Sequence, residues 1–248
     1  MLDVNIETMV FESSDGGALE ALRDLKFNCA AKSFTSIVGP SGCGKTTTLR
    51  CILGLESAYK GVITIDGTPV GTQTDAVKIA AVFQEPRLLP WRTTEKNVRL
   101  ALNQSGSVTD AKLDALFSEL GLTEHRHFFP TELSLGLARR VGLARAFAVE
   151  PSVLILDEPF VSLDDETAGR LRRLLSSVWS ARACTALMVT HNIREAIELS
   201  DRILFYSGTP SRIVHQYDVP VQRQHRNRAA IDTIRDEIES LGMIGVTE

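Results

Sequence analysis

Apolar residues along this chain fall into two patterns: short runs that suit strands and spaced stripes that suit helices. Residues 3 to 11 and 22 to 27 read as strands separated by the turn-rich Ser13-Ser-Asp-Gly-Gly17, and Gly61-Val-Ile-Thr-Ile-Asp-Gly67 reads as a third strand ending in a turn. They lie close in sequence without room for crossover helices, which predicts a small antiparallel layer. The runs Phe34–Val38, Lys78–Phe83, Val153–Leu156, Ala186–Val189 and Ile203–Tyr206 are continuously apolar or nearly so, with helical segments between them. That alternation predicts a parallel sheet.

From Arg87 to Glu150 the pattern is helical, with no convincing strand. Leu113, Leu116, Phe117 and Leu120 stand at helical spacing, with Thr109 or Asp110 available as cap, and Ser134 to Val149 forms a second long helical pattern. The expected organisation is an α/β core over 1–86 and 151–215, flanked by the antiparallel layer. An all-helical lobe over 87–150 is inserted into it, and 216–248 is a peripheral C-terminal tail. The basic cluster Arg170, Arg172 and Arg173 reads as a solvated helix face, and the pair His125 and His127 lacks the surrounding ligands of a metal site.

Composition narrows the class without naming a function. At 248 residues with 44% hydrophobic and 23% charged, the chain has an ordinary globular make-up. Its formal net charge of -4 is no nucleic-acid footprint. No apolar stretch is long enough to cross a bilayer, and residues 1 to 15 lack the basic-then-apolar order of a secretory signal, so a cytoplasmic protein is expected. Cys29, Cys43, Cys51 and Cys184 have no metal or disulfide spacing and read as free thiols. Cys43 reads as a small residue that fits its turn.

The candidate chemistry begins at Gly39-Pro-Ser-Gly-Cys-Gly-Lys-Thr-Thr47, a glycine-rich turn between a strand and a helix. Gly39, Gly44, Lys45 and Thr46 stand at the spacing of a phosphate-binding loop. Gly42 and Gly44 let the backbone curl so that N–H groups point at an anion, and the helix N-terminus adds partial positive charge. Lys45 reaches the terminal phosphates of a nucleotide, and Thr46 offers a hydroxyl to Mg²⁺. A second piece, Val153-Leu-Ile-Leu-Asp-Glu158, ends a buried strand in two carboxylates at the edge where open α/β sheets bind ligands. Asp157 suits the metal, directly or through water, and Glu158 suits the general base that polarises an attacking water. ATP and Mg²⁺ are the implied ligands.

With these motifs in place the chain resembles an ATP-binding cassette (ABC) ATPase, the nucleotide-binding subunit of a membrane transporter, over nearly its whole length. Further matches, in the family's order, are Gln84 at the Q-loop, the signature-like Leu133-Ser-Leu-Gly-Leu-Ala-Arg-Arg-Val141, Leu163-Asp164 at the D-loop and Thr190-His191 at the switch histidine. The stretch Gln84-Glu-Pro-Arg-Leu-Leu-Pro-Trp91 is similar to the nitrate, sulfonate and taurine importers' ATPases. The resemblance implies a P-loop NTPase core with a mainly parallel sheet, and ATP hydrolysis that powers import of a small solute through separate transmembrane permease subunits, fed by a periplasmic or extracellular solute-binding protein. It places the protein on the inner face of the cell membrane as a peripheral subunit.

The resemblance also implies roles. Phe11 stacks on adenine, although taken alone it reads more readily as a core residue. Pro40, Ser41, Cys43 and Thr47 complete the nucleotide loop. Gln84 contacts Mg²⁺ or the attacking water and reports nucleotide state to the permease, and His191 contacts the γ-phosphate. Ser134, Gly136 and Asp164 belong to the half-site that meets the nucleotide of a second subunit in an ATP-dependent dimer, with itself or with another ATPase. Departures fall in that half: Leu135 and Leu137 stand where the signature has glycine and glutamine, and Val161-Ser162 precede Leu163-Asp164 where Ser-Ala is common. Lys32-Ser33 replaces a turn Gly-Glu. The remaining alternatives are a non-transport or regulatory ABC ATPase weakened by its signature, and a P-loop kinase. Leu88, Leu89 and Trp91 either dock a permease or pack under the helical lobe.

Overall fold

The computed structural model describes residues 1–12, 17–72, 78–102, 109–182 and 184–243, so the turn read at Ser13–Gly17 falls, apart from Gly17, outside the described residues. In chain order these form β1 (Leu2–Glu12), β2 (Ala18–Cys29), β3 (Phe34–Val38), α1 (Lys45–Ile52), β4 (Tyr59–Ile65), β5 (Thr68–Pro69), β6 (Ile79–Val82), α2 (Thr94–Leu102) and α3 (Asp110–Glu119). There follow α4 (Leu135–Ala148), β7 (Val153–Asp157), α5 (Asp165–Arg182), β8 (Thr185–Thr190), α6 (Ile193–Leu199), β9 (Arg202–Tyr206), β10 (Ile213–Asp218) and α7 (Arg228–Ser240). They group into two compact units, Met1–Thr74 with Thr185–Glu248, and Asp75–Cys184.

The first unit contains the expected antiparallel layer, ordered β2-β1-β4-β5. Leu2, Val4 and Ile6 alternate inward along β1 and face Cys29, Phe27 and Leu25 of β2, which is the period-two burial of a sheet with one face in a core. Its other strands run in the order β10-β9-β3-β8, with β3 parallel to both β8 and β9. All five residues of β3 and all six of β8 are buried, Thr35 and Ser36 with the rest, which explains why neither strand alternates between a buried and an exposed face. The sequence reading did not mark β10; it lies antiparallel to β9, and its mixed burial leaves little periodic signal.

The last helix is seated rather than loose. Ile234 and Ile238 of α7 pack with Val38, Ala196, Ile197, Ile203, Phe205 and Tyr217. Asn227 Oδ1 accepts from the Ala230 N–H at 2.9 Å and so caps the helix. Tyr217 donates to Glu237 at 2.9 Å, and burial, reinforced by that carboxylate, pushes the phenol up to about 12. The Arg226 guanidinium donates to the carbonyls of Ile197 and Ser200 at the end of α6; burial lowers it to about 10, which leaves it charged at neutral pH.

In the second unit β6 and β7 are parallel, and α4 packs against α2, α3, α5 and β6. Contact on so many sides explains why the apolar residues of α4 are not confined to one stripe. Its limits match the helical pattern of Ser134 to Val149, with Ser134 as N-cap. Thr109 caps α3, and Leu113, Leu116 and Phe117 form its buried face. On α5, Arg170 pairs with Glu166 at 2.6 Å on the exposed side and Arg172 lies over the Phe160 ring. All four cysteines are free and buried, and burial pushes Cys29, Cys51 and Cys184 up to about 11, so these thiols stay protonated at neutral pH. Among the described residues no helix is long and apolar enough to cross a membrane.

If α7 is part of the core, truncating its buried face destabilises the whole unit. Ile238→Ala, at a site with no solvent exposure, is expected to cost about 2–4 kcal/mol in urea unfolding. A change below about 0.5 kcal/mol would mean that α7 contributes no packing.

Candidate functional site

Each unit presents one half of the predicted chemistry, and in each the half is assembled by a pair of parallel strands. In the first unit Val38 at the end of β3 is opposite Thr190 at the end of β8, so the next residues, Gly39 and His191, leave the sheet side by side. The turn that carries His191 is braced by Thr190, whose hydroxyl donates to the buried Glu195 carboxylate at 2.6 Å and accepts from the Asn192 N–H at 3.0 Å. His191 itself is exposed.

The loop from Gly39 to Gly44 has the form an anion cradle requires. Gly42 and Gly44 have φ of 76° and 105°, which other residues adopt only under strain. At Gly44 a Cβ would also meet Leu22 Cδ2 at 2.8 Å. Gly39 is held to glycine by packing instead: its Cβ would lie 2.9 Å from the Tyr206 Cβ and 3.0 Å from the Cys43 sulfur. Cys43 is buried, in agreement with its reading as a small residue that fits. Helix α1 starts at Lys45 with no side-chain cap and no acid in its first turn, so its N-terminal field is not neutralised locally. Lys45 is 6% exposed, and its ammonium donates to the carbonyls of Gly39 and Pro40, each at 2.8 Å. Thr209 Oγ1 donates to the Gly42 carbonyl at 3.3 Å, a brace from the β9–β10 connection. Phe11 is 39% exposed on β1, opposite Leu19; this is a surface position, as an aromatic platform needs, and not a core one.

In the second unit Val82 of β6 is opposite Leu156 of β7, so Gln84 and the pair Asp157 and Glu158 emerge from neighbouring strand ends. Asp157 is the last strand residue and is buried; Glu158 is the first beyond it, part-exposed, with φ of 47°. Ser162 has φ of 62°. A left-handed conformation at such residues costs on the order of 1–3 kcal/mol each and gathers at functional sites. Gln84 is exposed. Ser134 Oγ accepts from the Leu137 N–H at 3.3 Å and so caps α4, which has no acid in its first turn. Leu135 is 42% exposed beside it. At Gly136 a Cβ would lie 3.0 Å from Thr167 Cγ2, so glycine there lets α4 approach α5. Asp164 Oδ1 accepts from the Thr167 N–H at 2.9 Å and caps α5; that backbone bond holds its carboxyl below the usual range.

Three polar residues that sequence reasoning passed over hold these loops. Asn97, fully buried, accepts from the Leu89 N–H at 2.7 Å and donates to the carbonyls of Leu89, Arg92 and Thr93. Arg145 donates to the carbonyls of Pro86 and Arg87 at 2.8 and 3.1 Å. Arg139, 5% exposed, donates to the carbonyls of Glu158, Pro159 and Val161. Between Asn97 and Arg145, the segment after Gln84 is well defined: Leu88 and Leu89 are half-buried and Trp91 is 71% exposed.

Comparison with known proteins identifies the family. The family model described as "ABC transporter" matches residues 22–161. The chain belongs to the ABC transporter family. It is 35% identical over 94% of its length to the aliphatic sulfonates import ATP-binding protein SsuB of Bacillus cereus, covering 92% of that protein. It is 36% identical over 91% of its length to SsuB 1 of Xanthomonas axonopodis pv. citri (strain 306), covering 90% of it. Among solved structures, the dimeric post-hydrolysis state of the ATP-binding cassette MJ0796 bound to ADP and Pi superposes with a TM-score of 0.77 at 27% identity, covering 90% of this chain and all of that one. The fold is therefore that of an ABC cassette, with mainly parallel strands, an antiparallel β layer and a helical region, and the activity is that of an ABC ATPase.

The two loop glycines differ in a way that unfolding measures without nucleotide. Gly42→Ala meets nothing within 4 Å, so only its left-handed conformation counts, about 1–2 kcal/mol. Gly44→Ala adds the Leu22 contact and is expected to cost clearly more in urea unfolding. Equal losses would show that the loop relaxes freely around Gly44.

Proposed function

We propose that this protein is the ATP-hydrolysing subunit of an importer for a small organic anion of the sulfonate class, working on the cytoplasmic face of a membrane permease. The observation that carries the catalytic part is the phosphate cradle: left-handed Gly42 and Gly44, an uncapped helix N-terminus and Lys45 at one strand end. The relatives named above, which align along nearly the whole chain, support import and the solute class.

In this reading the backbone N–H groups from Gly39 to Thr47 and the Lys45 ammonium bind the phosphates of ATP, and Phe11 stacks on adenine. Lys45 exchanges its carbonyl partners for phosphate oxygens, which makes the loop a preorganised donor set. Thr46, Asp157 and Gln84 would hold Mg²⁺, which would supply positive charge against that developing on the phosphate oxygens. A cradle built around glycine, a hydroxyl at the first turn of α1 and a buried carboxylate at a strand end suit that pair of ligands. Glu158 takes a proton from water as it attacks the γ-phosphate, and His191 orients water and phosphate. Ser134, Gly136 and Asp164 serve the nucleotide of a second cassette, through the helix N-terminus that Ser134 caps. Residues 87–150 act as the helical lobe, and the loop from Gln84 to Trp91 docks the permease, which is fed by a solute-binding protein.

Two experiments test this. Glu158→Gln is expected to lower turnover about 100-fold or more while ATP still binds and an ATP-held dimer accumulates. Lys45→Ala is expected to weaken ATP binding itself. Filter binding, phosphate release and light scattering separate the two, and near-normal turnover in Glu158→Gln would remove the base assignment. For docking, Trp91→Glu changes the exposed apolar residue of the loop. It should keep basal hydrolysis and melting temperature but lose co-purification with the permease and solute-stimulated hydrolysis in vesicles. Loss of basal hydrolysis together with coupling would mean that the loop serves packing instead.

A further inference from the structure

We propose that Arg139 is a positioning residue for hydrolysis: from α4 it holds the turn Glu158–Val161 in the conformation that aims the Glu158 carboxylate. The proposal rests on the reading of Glu158 as the base. Within these four residues the guanidinium addresses three carbonyls, those of Glu158, Pro159 and Val161. The turn's own backbone bonds are long, Val161 N–H to the Glu158 carbonyl and Leu163 N–H to the Phe160 carbonyl, both at 3.4 Å. It also carries left-handed Glu158 at one end and Ser162 just beyond the other. A strained turn with weak internal bonds persists only when its surroundings over-determine it, and the Arg139 bonds do that here.

The consequence differs between the two acids. Asp157 is the last residue of β7 and its backbone is set by the strand, whereas Glu158 takes its direction from the turn. Releasing the turn therefore swings the base and leaves the metal-side carboxylate in place. The chemistry of the donor also matters. A planar guanidinium with five N–H donors spans several carbonyls at once; an ammonium is a point donor and does not. The Arg139 bonds described above go to main-chain carbonyls of the turn, so its effect belongs in kcat and not in ATP affinity.

The test compares Arg139→Met, which keeps the apolar stem, in the wild-type and Glu158→Gln backgrounds. In the wild type kcat should fall about 10- to 100-fold, with the ATP dissociation constant unchanged within about threefold. In Glu158→Gln the same change should cost less than about threefold, because the group it positions is already gone. Wild-type kcat in Arg139→Met, or an equal fold-loss in both backgrounds, overturns the proposal. Near-normal turnover in Glu158→Gln alone overturns the base reading and the proposal with it, so the two failures are distinct. If Arg139→Met does not fold, Arg139→Lys decides: a reduced kcat at unchanged ATP affinity and melting temperature supports the proposal, and a wild-type kcat overturns it.

Discussion

Parallel pairing is the constraint on which this site depends. Two parallel strands deliver the loops that follow them to the same edge of a sheet, whatever the sequence distance between them. Here β3 and β8 bring Gly39 and His191 together across about 150 residues, and β6 and β7 do the same for Gln84 and the acids at 157 and 158. Side chains that leave neighbouring strand ends thus need no local sequence relation. What they need is correct register, and the burial of both faces of β3 and β8 enforces it. The burial of these strands and the placing of the residues that follow them are therefore one fact seen at two levels.

This also explains what the sequence disclosed and what it did not. The phosphate loop was legible because its requirements are local: two left-handed residues, a lysine and a hydroxyl within a single turn. The carboxylate pair was legible because a strand end marks its own last residues. The limits of α4 followed from its helical pattern, and of the two caps read for α3, Thr109 and Asp110, the structure uses Thr109. Asn97, Arg139 and Arg145 were not legible, because their partners are main-chain groups, mostly carbonyls, up to 59 residues away. Every residue has a carbonyl, so nothing in the partner's identity announces the bond. Only burial, which one sequence does not display for a charged side chain, separates these arginines from surface ones. The strand β10 escaped for a related reason, since an edge strand with mixed burial has no strict alternation to detect.

The altered signature takes a different meaning in the structure. Leucine for glycine at position 135 reads as a loss of backbone access when the motif is considered alone. In the fold, residue 135 is the first of α4 and its side chain is 42% exposed, so it crowds nothing in its own unit. The glycine that packing demands is Gly136, against Thr167. The chain keeps glycine where α4 meets α5 and departs at a position exposed in its own unit. The packing of α4 therefore does not depend on which residue stands at 135.

The buried guanidiniums point to a common device. Arg139, Arg145 and Arg226 each donate to carbonyls of a loop or a helix end that irregular backbone would otherwise leave poorly satisfied. Leaving such carbonyls without donors costs on the order of 1–3 kcal/mol each, enough to explain why charged side chains are buried there despite their desolvation. Arginine suits the task because one planar group satisfies several carbonyls and fixes their relative positions. Two of the three lie on α4, one at the turn after Glu158 and the other at the segment after Gln84. The helix capped by Ser134 is thus fastened directly to the backbone beside both Glu158 and Gln84. The position of that helix and the path of the backbone on both sides of it are therefore fixed by the same two side chains.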